Sequence, residues 1–194
     1  MLILARHGQT AANAAGHLLG RADPPLTEEG ERQARALEWA LAGAAVIVSS
    51  PLQRARATAD AIAGGGPVEV DDRWTELDYG DYDDRPPGDV PPELWQRWRV
   101  DPDHRPPGGE SLSELGVRVR AACADLAPRA AEADVVVVSH VSPIKAGVAW
   151  ALGTGDEVAW RMYVALASIT RIGVTERGPI LRSFNEVAHL DPVS

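Results

Sequence analysis

The sequence predicts an α/β fold, organised as a three-layer α/β/α sandwich around a mostly parallel central sheet. Short runs of apolar and β-branched residues alternate with longer segments of helical periodicity, which is typical of parallel strands joined by helices. The run VVVVSH at 135–140 is almost continuously apolar, as expected of a strand covered on both faces. A chain of 194 residues can bury roughly 70% of its unfolded surface in one core. We therefore expect a single domain over residues 1–194.

The first half of the chain contains two predicted pairs of strand and helix. The run LILA at 2–5 is the first strand. After a polar loop, the segment 26–43 has helical periodicity, with Thr27 as its cap and acidic residues in its first turn. The run at 46–51 is a second buried strand, and the segment 52–66 is a helix that three consecutive glycines terminate.

The second half is interrupted by an irregular segment. Residues 80–109 hold seven prolines and four glycines around one short tryptophan-bearing stretch, which indicates a lid or wall rather than a linker between domains. The segment 110–133 is again helical, and we expect Pro128 to end or kink that helix. After the strand at 135–140, the runs 167–174 and 180–184 form a predicted hairpin.

Composition and charge exclude several classes of partner. The formal net charge is −9, which argues against nucleic acid or an anionic membrane surface. No apolar run is long enough to cross a bilayer and the start does not resemble a signal peptide, so we expect a cytoplasmic protein. The single cysteine, Cys123, is expected to be an inert core residue. The sequence contains no HxH, HExxH or CxxC pattern, so we expect no metal and no cofactor; it does not define an oligomeric state.

Ionisable side chains follow the predicted strands at the point where each strand ends. Arg6 and His7 follow the first strand, Arg54 follows the second by one helical turn, His140 ends VVVVSH, and Glu76 follows the run VEV. Ligands of open α/β sheets bind at the carboxyl ends of the strands, so these groups are expected to converge. Arginine matches phosphate oxygens and a neutral imidazole can attack phosphorus, which together favour phosphoryl transfer.

Six separated motifs resemble those of one known family. ARHGQTAAN, PLTEEG, SSPLQRARATA, TELDYGDY, PGGESLSEL and VVVVSHVSPIKA occur in the order found in the histidine phosphatase superfamily, whose fold is phosphoglycerate-mutase-like. The resemblance runs from Leu2 to about Leu190. The last motif is most similar to actinobacterial acid phosphatase or α-ribazole-phosphatase-like domains, which are sometimes fused to an RNase H domain. We expect the phosphatase-like domain alone in these 194 residues.

The resemblance implies a role for each matched residue. His7 would be the phosphorylated nucleophile and Glu76 the proton donor. The implied phosphate-binding residues are Arg6, Asn13, Arg54 and His140. Many relatives have glycine after the second histidine, where this chain has Val141, although the backbone N–H needed for an anion is retained. Gly20 and Arg21 are possible substrate-binding residues. An equal alternative for Arg21 is that it only holds its own loop in place.

The predicted activity is that of a metal-independent phosphomonoesterase acting on a small phosphorylated metabolite through phosphohistidine. One alternative is a phosphoglycerate mutase, which would need extra cations around a substrate carboxylate. The short, proline-rich middle segment argues against a mutase, but four arginines keep it open: Arg85, Arg97, Arg99 and Arg105. A second alternative is a non-catalytic module that binds phosphorylated ligands, which would be expected to lack the nucleophile or the acid.

Several residues have competing interpretations. Arg56 competes with Arg54 as the arginine of the pocket, and Glu76 could belong to a solvated acidic loop. Gly8 is expected to let the backbone approach the anion closely. Two tryptophans, Trp95 and Trp98, lie three residues apart and are expected to pack rather than to stack on substrate. The remaining histidines are expected to be surface or structural: His17, His104 and His189.

Overall fold

The computed structural model describes residues 1–190, so the last four residues of the predicted domain lie outside the described residues. One sheet has the strand order β3-β2-β4-β1-β5-β6. Its strands are β1 (Leu2–Arg6), β2 (Val46–Ser49), β3 (Glu69–Val70), β4 (Val135–Ser139), β5 (Ile169–Thr175) and β6 (Gly178–Glu186). The pairs β1–β4, β2–β4 and β2–β3 are parallel, and β5 is antiparallel to both of its neighbours. The mostly parallel sheet and the late hairpin are therefore confirmed.

Helices cover both faces of the sheet. They are α1 (Ala11–Ala14), α2 (Glu28–Ala40), α3 (Gln53–Ala63), α4 (Pro92–Val100), α5 (Leu112–Glu132) and α6 (Val141–Leu152). Side chains alternate along β1, so Leu2 and Leu4 pack in one cluster with α5 and α6 while Ile3 and Ala5 pack in another with α2 and α3. The three-layer prediction is confirmed. Within residues 1–190, none of the helices has the length and apolar character that a bilayer crossing requires.

The predicted helix boundaries hold with one exception. Thr27 caps α2 by accepting a hydrogen bond from the N–H of Gly30, and α3 ends at Gly64 with φ of 54°. Pro128 does not end α5, which continues to Glu132. A capping box at Ser111 and the burial of one face of this helix, including Cys123, stabilise α5 despite the missing N–H of the proline.

The irregular segment packs against the body of the domain through its tryptophans. It contains α4 and two short 3₁₀ turns, Gly80–Tyr82 and Pro87–Asp89. Trp98 is 2% exposed, and its carbonyl accepts a hydrogen bond from the indole of Trp160 at 3.0 Å. Trp160 lies some sixty residues further along the chain, so this contact fixes α4 against the segment that follows α6. The packing role predicted for Trp98 agrees with this burial.

Candidate active site

Two histidines and an arginine meet at the carboxyl edge of the sheet. The strands β2, β4 and β1 are adjacent and parallel, so the residues that follow them are brought to one place. The ring centroids of His7 and His140 lie 5.0 Å apart, and Arg54 Nε lies 3.3 Å from His7 Nε2. All three side chains are buried. The convergence expected from the strand ends is therefore present.

The hydrogen bonds of His7 define which ring nitrogen is available for chemistry. Its Nδ1 lies 2.7 Å from the carbonyl oxygen of Gly8, which can only accept, so Nδ1 carries the proton. Nε2 then keeps its lone pair, and Arg54 Nε donates to it. Burial, together with the charges of Arg6 and Arg54, lowers the pKa of His7 well below its usual value. His7 is therefore a neutral imidazole whose unprotonated ring nitrogen is Nε2.

His140 forms the opposite wall of the site. Its Nε2 lies 2.7 Å from Ser50 Oγ, and its Nδ1 is buried with no hydrogen-bond partner within residues 1–190. Burial lowers the pKa of His140 well below its usual value, and the positive charge of Arg54 adds to this lowering. An anion bound here would oppose that lowering, because it stabilises a charged imidazolium.

Both predicted arginines reach the site, and each also binds backbone carbonyls. Arg6 Nη1 donates to the carbonyl of Val164 at 2.8 Å. Arg54 donates to the carbonyls of Ala22 at 2.7 Å and Gly20 at 2.8 Å, which holds this loop beside His7. Burial lowers the pKa of each guanidinium, and attraction to the Glu76 carboxylate opposes this. Two guanidinium groups are thus concentrated in one pocket of an acidic protein.

The competition between Arg54 and Arg56 is resolved by their directions along α3. Arg54 is fully buried, with its guanidinium at His7. The Arg56 side chain is 36% exposed and lies 3.9 Å from Asp60 on the same helix. Residues two apart on a helix do not share a face, so only one of the two arginines can reach the histidines.

Glu76 is buried at the start of α6 rather than solvated. Its Oε1 accepts hydrogen bonds from the N–H groups of Leu77 at 2.7 Å and Ser142 at 3.1 Å, and its Oε2 accepts from Val141 at 3.0 Å. The carboxylate therefore occupies the positive end of α6. The Val141 N–H, which we expected to be available to an anion, is bound to Glu76 instead. Because the Glu76 side chain is buried and bound to backbone N–H groups, it does not belong to a solvated acidic loop.

Asn13 lines a small cavity of about 100 Å³ beside His7. Its Oδ1 accepts hydrogen bonds from the N–H and the hydroxyl of Thr10, at 3.1 and 3.0 Å, in a capping box of α1. These bonds leave Nδ2 as the free donor. The lining of this cavity also includes Arg6, His7, Glu76 and Tyr79.

The other sequence-predicted residues lie at the margin of the site. Gly20 is buried. Its N–H donates to the Asp83 carboxylate at 2.6 Å, and its carbonyl accepts from Arg54. Arg21 lies 3.5 Å from Glu110 and does not line the cavity. Gly8 is required for a contact that the sequence did not indicate: a Cβ there would lie 2.3 Å from the Gly30 carbonyl oxygen, so this glycine permits contact with α2.

Sequence reasoning did not identify four residues at or beside the site. Ser50 follows β2 directly and was detectable as a polar residue at a strand end. Tyr79 lines the cavity three residues after Glu76, and burial raises the pKa of its hydroxyl. Lys145 follows Val141 by one helical turn and therefore shares its face of α6. The expectation that His17 is surface or structural was incomplete, because His17 also lines the cavity.

An ion pair behind Glu76 explains the PGGESLSEL motif. Arg118 of α5 makes two hydrogen bonds of 2.8 Å to the carboxylate of Glu110. The same guanidinium donates to the backbone carbonyls of Arg73 at 2.6 Å and Glu76 at 3.3 Å. A planar guanidinium can satisfy all these acceptors at once, so Arg118 positions the segment that carries Glu76.

The part of the chain that the structure describes offers no metal site: no three histidine, cysteine, aspartate or glutamate side chains in residues 1–190 are grouped to hold an ion. Of the remaining histidines, His189 Nε2 lies 2.9 Å from the carbonyl of Ala167, in a structural contact. Cys123 is buried, and burial raises the pKa of its thiol to about 12, as expected of an inert thiol.

Stability should fall in mild acid because of the two buried histidines. The unfolded chain binds a proton at each near pH 6.5, whereas the folded site does not. Below about pH 6.5 the unfolded state therefore binds more protons, and each histidine removes up to about 1.4 kcal/mol of unfolding free energy per pH unit. Denaturant unfolding of the parent and the His7→Asn, His140→Asn double variant between pH 7.5 and 5 in phosphate-free buffer measures this. Equal pH slopes for the two proteins would contradict it.

Comparison with known proteins supplies a family. Residues 2–187 match the model of the histidine phosphatase superfamily (branch 1). A bifunctional protein of Mycobacterium tuberculosis (strain ATCC 25618 / H37Rv) is 40% identical over 87% of this chain and 49% of its own length. The chain therefore spans about half the length of the first of its curated relatives. Phosphoserine phosphatase 1 of Hydrogenobacter thermophilus is 35% identical, over 97% of this chain and 93% of that protein.

The fold is also shared with solved structures. A phosphoserine phosphatase mutant from Entamoeba histolytica, in complex with phosphoserine, superposes with a TM-score of 0.91 at 27% identity. The alignment covers 97% of this chain and 98% of that one. The resemblance inferred from the six motifs, and the phosphoglycerate-mutase-like fold that it implied, are both confirmed.

Proposed function

We propose, because the chain belongs to the histidine phosphatase superfamily, that it is a phosphomonoesterase that forms a phosphohistidine at His7. The observation that carries this proposal is the state of the His7 ring. Its Nδ1 proton is held by the Gly8 carbonyl, its Nε2 lone pair faces the pocket arginine Arg54, and the imidazole is neutral. A buried, neutral and oriented imidazole beside two guanidinium groups is suited to attack phosphorus in a bound phosphomonoester.

In the first step, the Nε2 lone pair of His7 exchanges its hydrogen bond from Arg54 Nε for a bond to phosphorus while the ester P–O bond breaks. Arg6, Arg54 and His140 would stabilise the charge on the phosphoryl oxygens, with the Asn13 amide as a neutral donor. Glu76, protonated for this step, would give its proton to the departing alkoxide, which leaves as the alcohol.

In the second step, water attacks phosphorus and the bond to Nε2 breaks. Glu76, now a carboxylate, would accept the proton of that water, so the enzyme returns to its starting state and releases inorganic phosphate. The side chain must exchange at least one of its backbone hydrogen bonds for the reacting oxygen, since both carboxyl oxygens are bound to N–H groups in this conformation.

A direct assay separates hydrolysis from isomerisation. Purified protein is incubated with 3-phosphoglycerate, and inorganic phosphate and 2-phosphoglycerate are both quantified, alongside a panel of phosphorylated metabolites. Hydrolysis predicts phosphate release from at least one monoester with no isomerised product. Isomerisation without phosphate release would instead support a mutase, and an absence of both, without phosphoprotein, would support a binding module.

Vanadate binding tests which arginine serves the pocket. Its five-coordinate adduct resembles the phosphoryl transition state, so vanadate should inhibit competitively. Arg54→Ala should weaken vanadate and phosphate binding by about 10- to 100-fold, because it removes a charge-assisted hydrogen-bond donor. Arg56→Ala is the matched control on the same helix, since that side chain points away from the histidines. A loss of affinity with Arg56→Ala and none with Arg54→Ala would contradict the assignment.

A further inference from the structure

A second cavity, of about 150 Å³, adjoins the histidine cavity. The two cavities share three lining residues, Leu18, Tyr79 and Val141. The second cavity is therefore next to the position that a phosphoryl group would take at His7. An ester that extends past these three residues would place its leaving group there.

Four aromatic rings form part of the wall of this second cavity. Trp95 packs against Trp98 with ring centroids 5.3 Å apart and against Trp160 at 6.0 Å, and Trp98 packs against Tyr79 at 6.1 Å. The indole of Trp95 donates to the carbonyl of Pro87 at 3.1 Å. The indole of Trp160 donates to the Trp98 carbonyl. These bonds orient the rings of Trp95 and Trp160, so the wall presents an ordered apolar surface.

Lys145 is the one cation that lines this cavity among residues 1–190. It is half-buried on α6, and no carboxylate of the described chain lies within 4.0 Å of its ammonium group. Burial lowers the pKa of Lys145, and the Glu76 carboxylate opposes this from a greater distance. A partly buried ammonium without a close partner is suited to an oxygen acceptor on a ligand.

We propose, resting on the phosphomonoesterase function above, that the substrate's leaving group is an alcohol that carries one aromatic ring. The ring would lie against Trp95 and Trp160, and Lys145 would bind an oxygen acceptor on the ring. An apolar cavity of about 150 Å³ holds a benzene-sized molecule, which sets the scale. Phosphoserine offers Lys145 a carboxylate, but it has no apolar group to cover the indole rings.

The first test compares three substrates of the parent enzyme. Their leaving alcohols have similar acidity, so differences in rate report on binding of the leaving group rather than on its departure. Phenethyl phosphate should be hydrolysed with a kcat/KM roughly 10- to 100-fold above the values for ethyl phosphate and O-phosphoserine, because its ring is removed from water. A comparable or lower kcat/KM for phenethyl phosphate, with ethyl phosphate still hydrolysed, would overturn the aromatic leaving group and leave the phosphomonoesterase function intact. Failure to hydrolyse any ester, without phosphohistidine, would overturn both.

Variants of the wall provide the second test. Trp160→Ala should lower kcat/KM for phenethyl phosphate about tenfold while changing that for ethyl phosphate less than about threefold. Trp160→Phe should restore most of the loss. Trp39→Ala is the matched control, since Trp39 is 85% exposed on α2 and lies outside the cavity. Equal losses for both esters would overturn the contact of the ring with Trp160.

Lys145 is tested with a ring that carries an acceptor. The parent should prefer para-carboxyphenethyl phosphate over phenethyl phosphate by about tenfold, as one charge-assisted hydrogen bond would give. Lys145→Met should abolish this preference while retaining hydrolysis of phenethyl phosphate. A preference that survives in Lys145→Met, or that is absent in the parent, would overturn the role of Lys145.

Discussion

Replacing His7 by alanine is expected to lower the turnover of every phosphomonoester by roughly 10⁴- to 10⁶-fold, since it removes the nucleophile and with it the covalent route. The fold should survive. The hydrogen bonds of the His7 ring go to the neighbouring Gly8 carbonyl and to Arg54, not to the sheet. Steady-state phosphate release and thermal unfolding of the same preparation measure the two effects.

His104→Ala is the matched control for this loss. His104 lies in the irregular segment and does not line the cavity at His7, so its replacement should leave phosphate release within a few-fold of the parent. Turnover of His7→Ala within tenfold of the parent, on protein free of contaminating phosphatase, would show that His7 is not the nucleophile.

Removing the carboxyl group of Glu76 should slow enzyme phosphorylation by alkyl phosphates by about 10²- to 10⁴-fold, the usual contribution of general acid catalysis. An alkoxide is a poor leaving group and needs the proton, whereas nitrophenolate leaves with little assistance. The rate of enzyme phosphorylation by p-nitrophenyl phosphate should therefore fall much less in the same variants. Rapid-quench measurement of the phosphoenzyme with Glu76→Gln and Glu76→Ala isolates this step from the hydrolysis of phosphohistidine.

Asp81→Asn controls for general effects of lost charge in the same segment, because Asp81 is exposed and does not line the cavity. It should leave both rates close to the parent values. Equal losses for the two leaving groups in the Glu76 variants would reject Glu76 as the proton donor. Asp78 would then be the next carboxylate to replace.

The centre of the site could be predicted because it depends on local sequence. Arg6 ends a buried strand and His7 follows it, His140 directly follows another strand, and parallel neighbours bring their ends to one edge. The choice of Arg54 over Arg56 came from the family resemblance, and the direction of each side chain along α3 now gives it a physical basis.

The surroundings of the site depend on long-range contacts that no local pattern encodes. Glu76 is bound by the N–H groups of Val141 and Ser142, 65 and 66 residues further along the chain. The aromatic wall joins Trp95 to Trp160 across a similar separation. Gly8 was expected to let the backbone approach an anion, and the structure adds a long-range reason for glycine there, which is the close approach of Gly30.

The position of the phosphoryl group on His7 is the most direct test of the proposed mechanism. Protein labelled with ¹⁵N-histidine is mixed with a rapidly hydrolysed monoester, quenched in base within milliseconds, and the phosphohistidine is located by peptide mapping and by nitrogen–phosphorus coupling. Because Nδ1 is protonated and bound to the Gly8 carbonyl, we expect a phosphoryl group on Nε2 of His7, formed and lost at rates compatible with turnover. Phosphorylation of Nδ1, of His140, or of no histidine during turnover would contradict the mechanism.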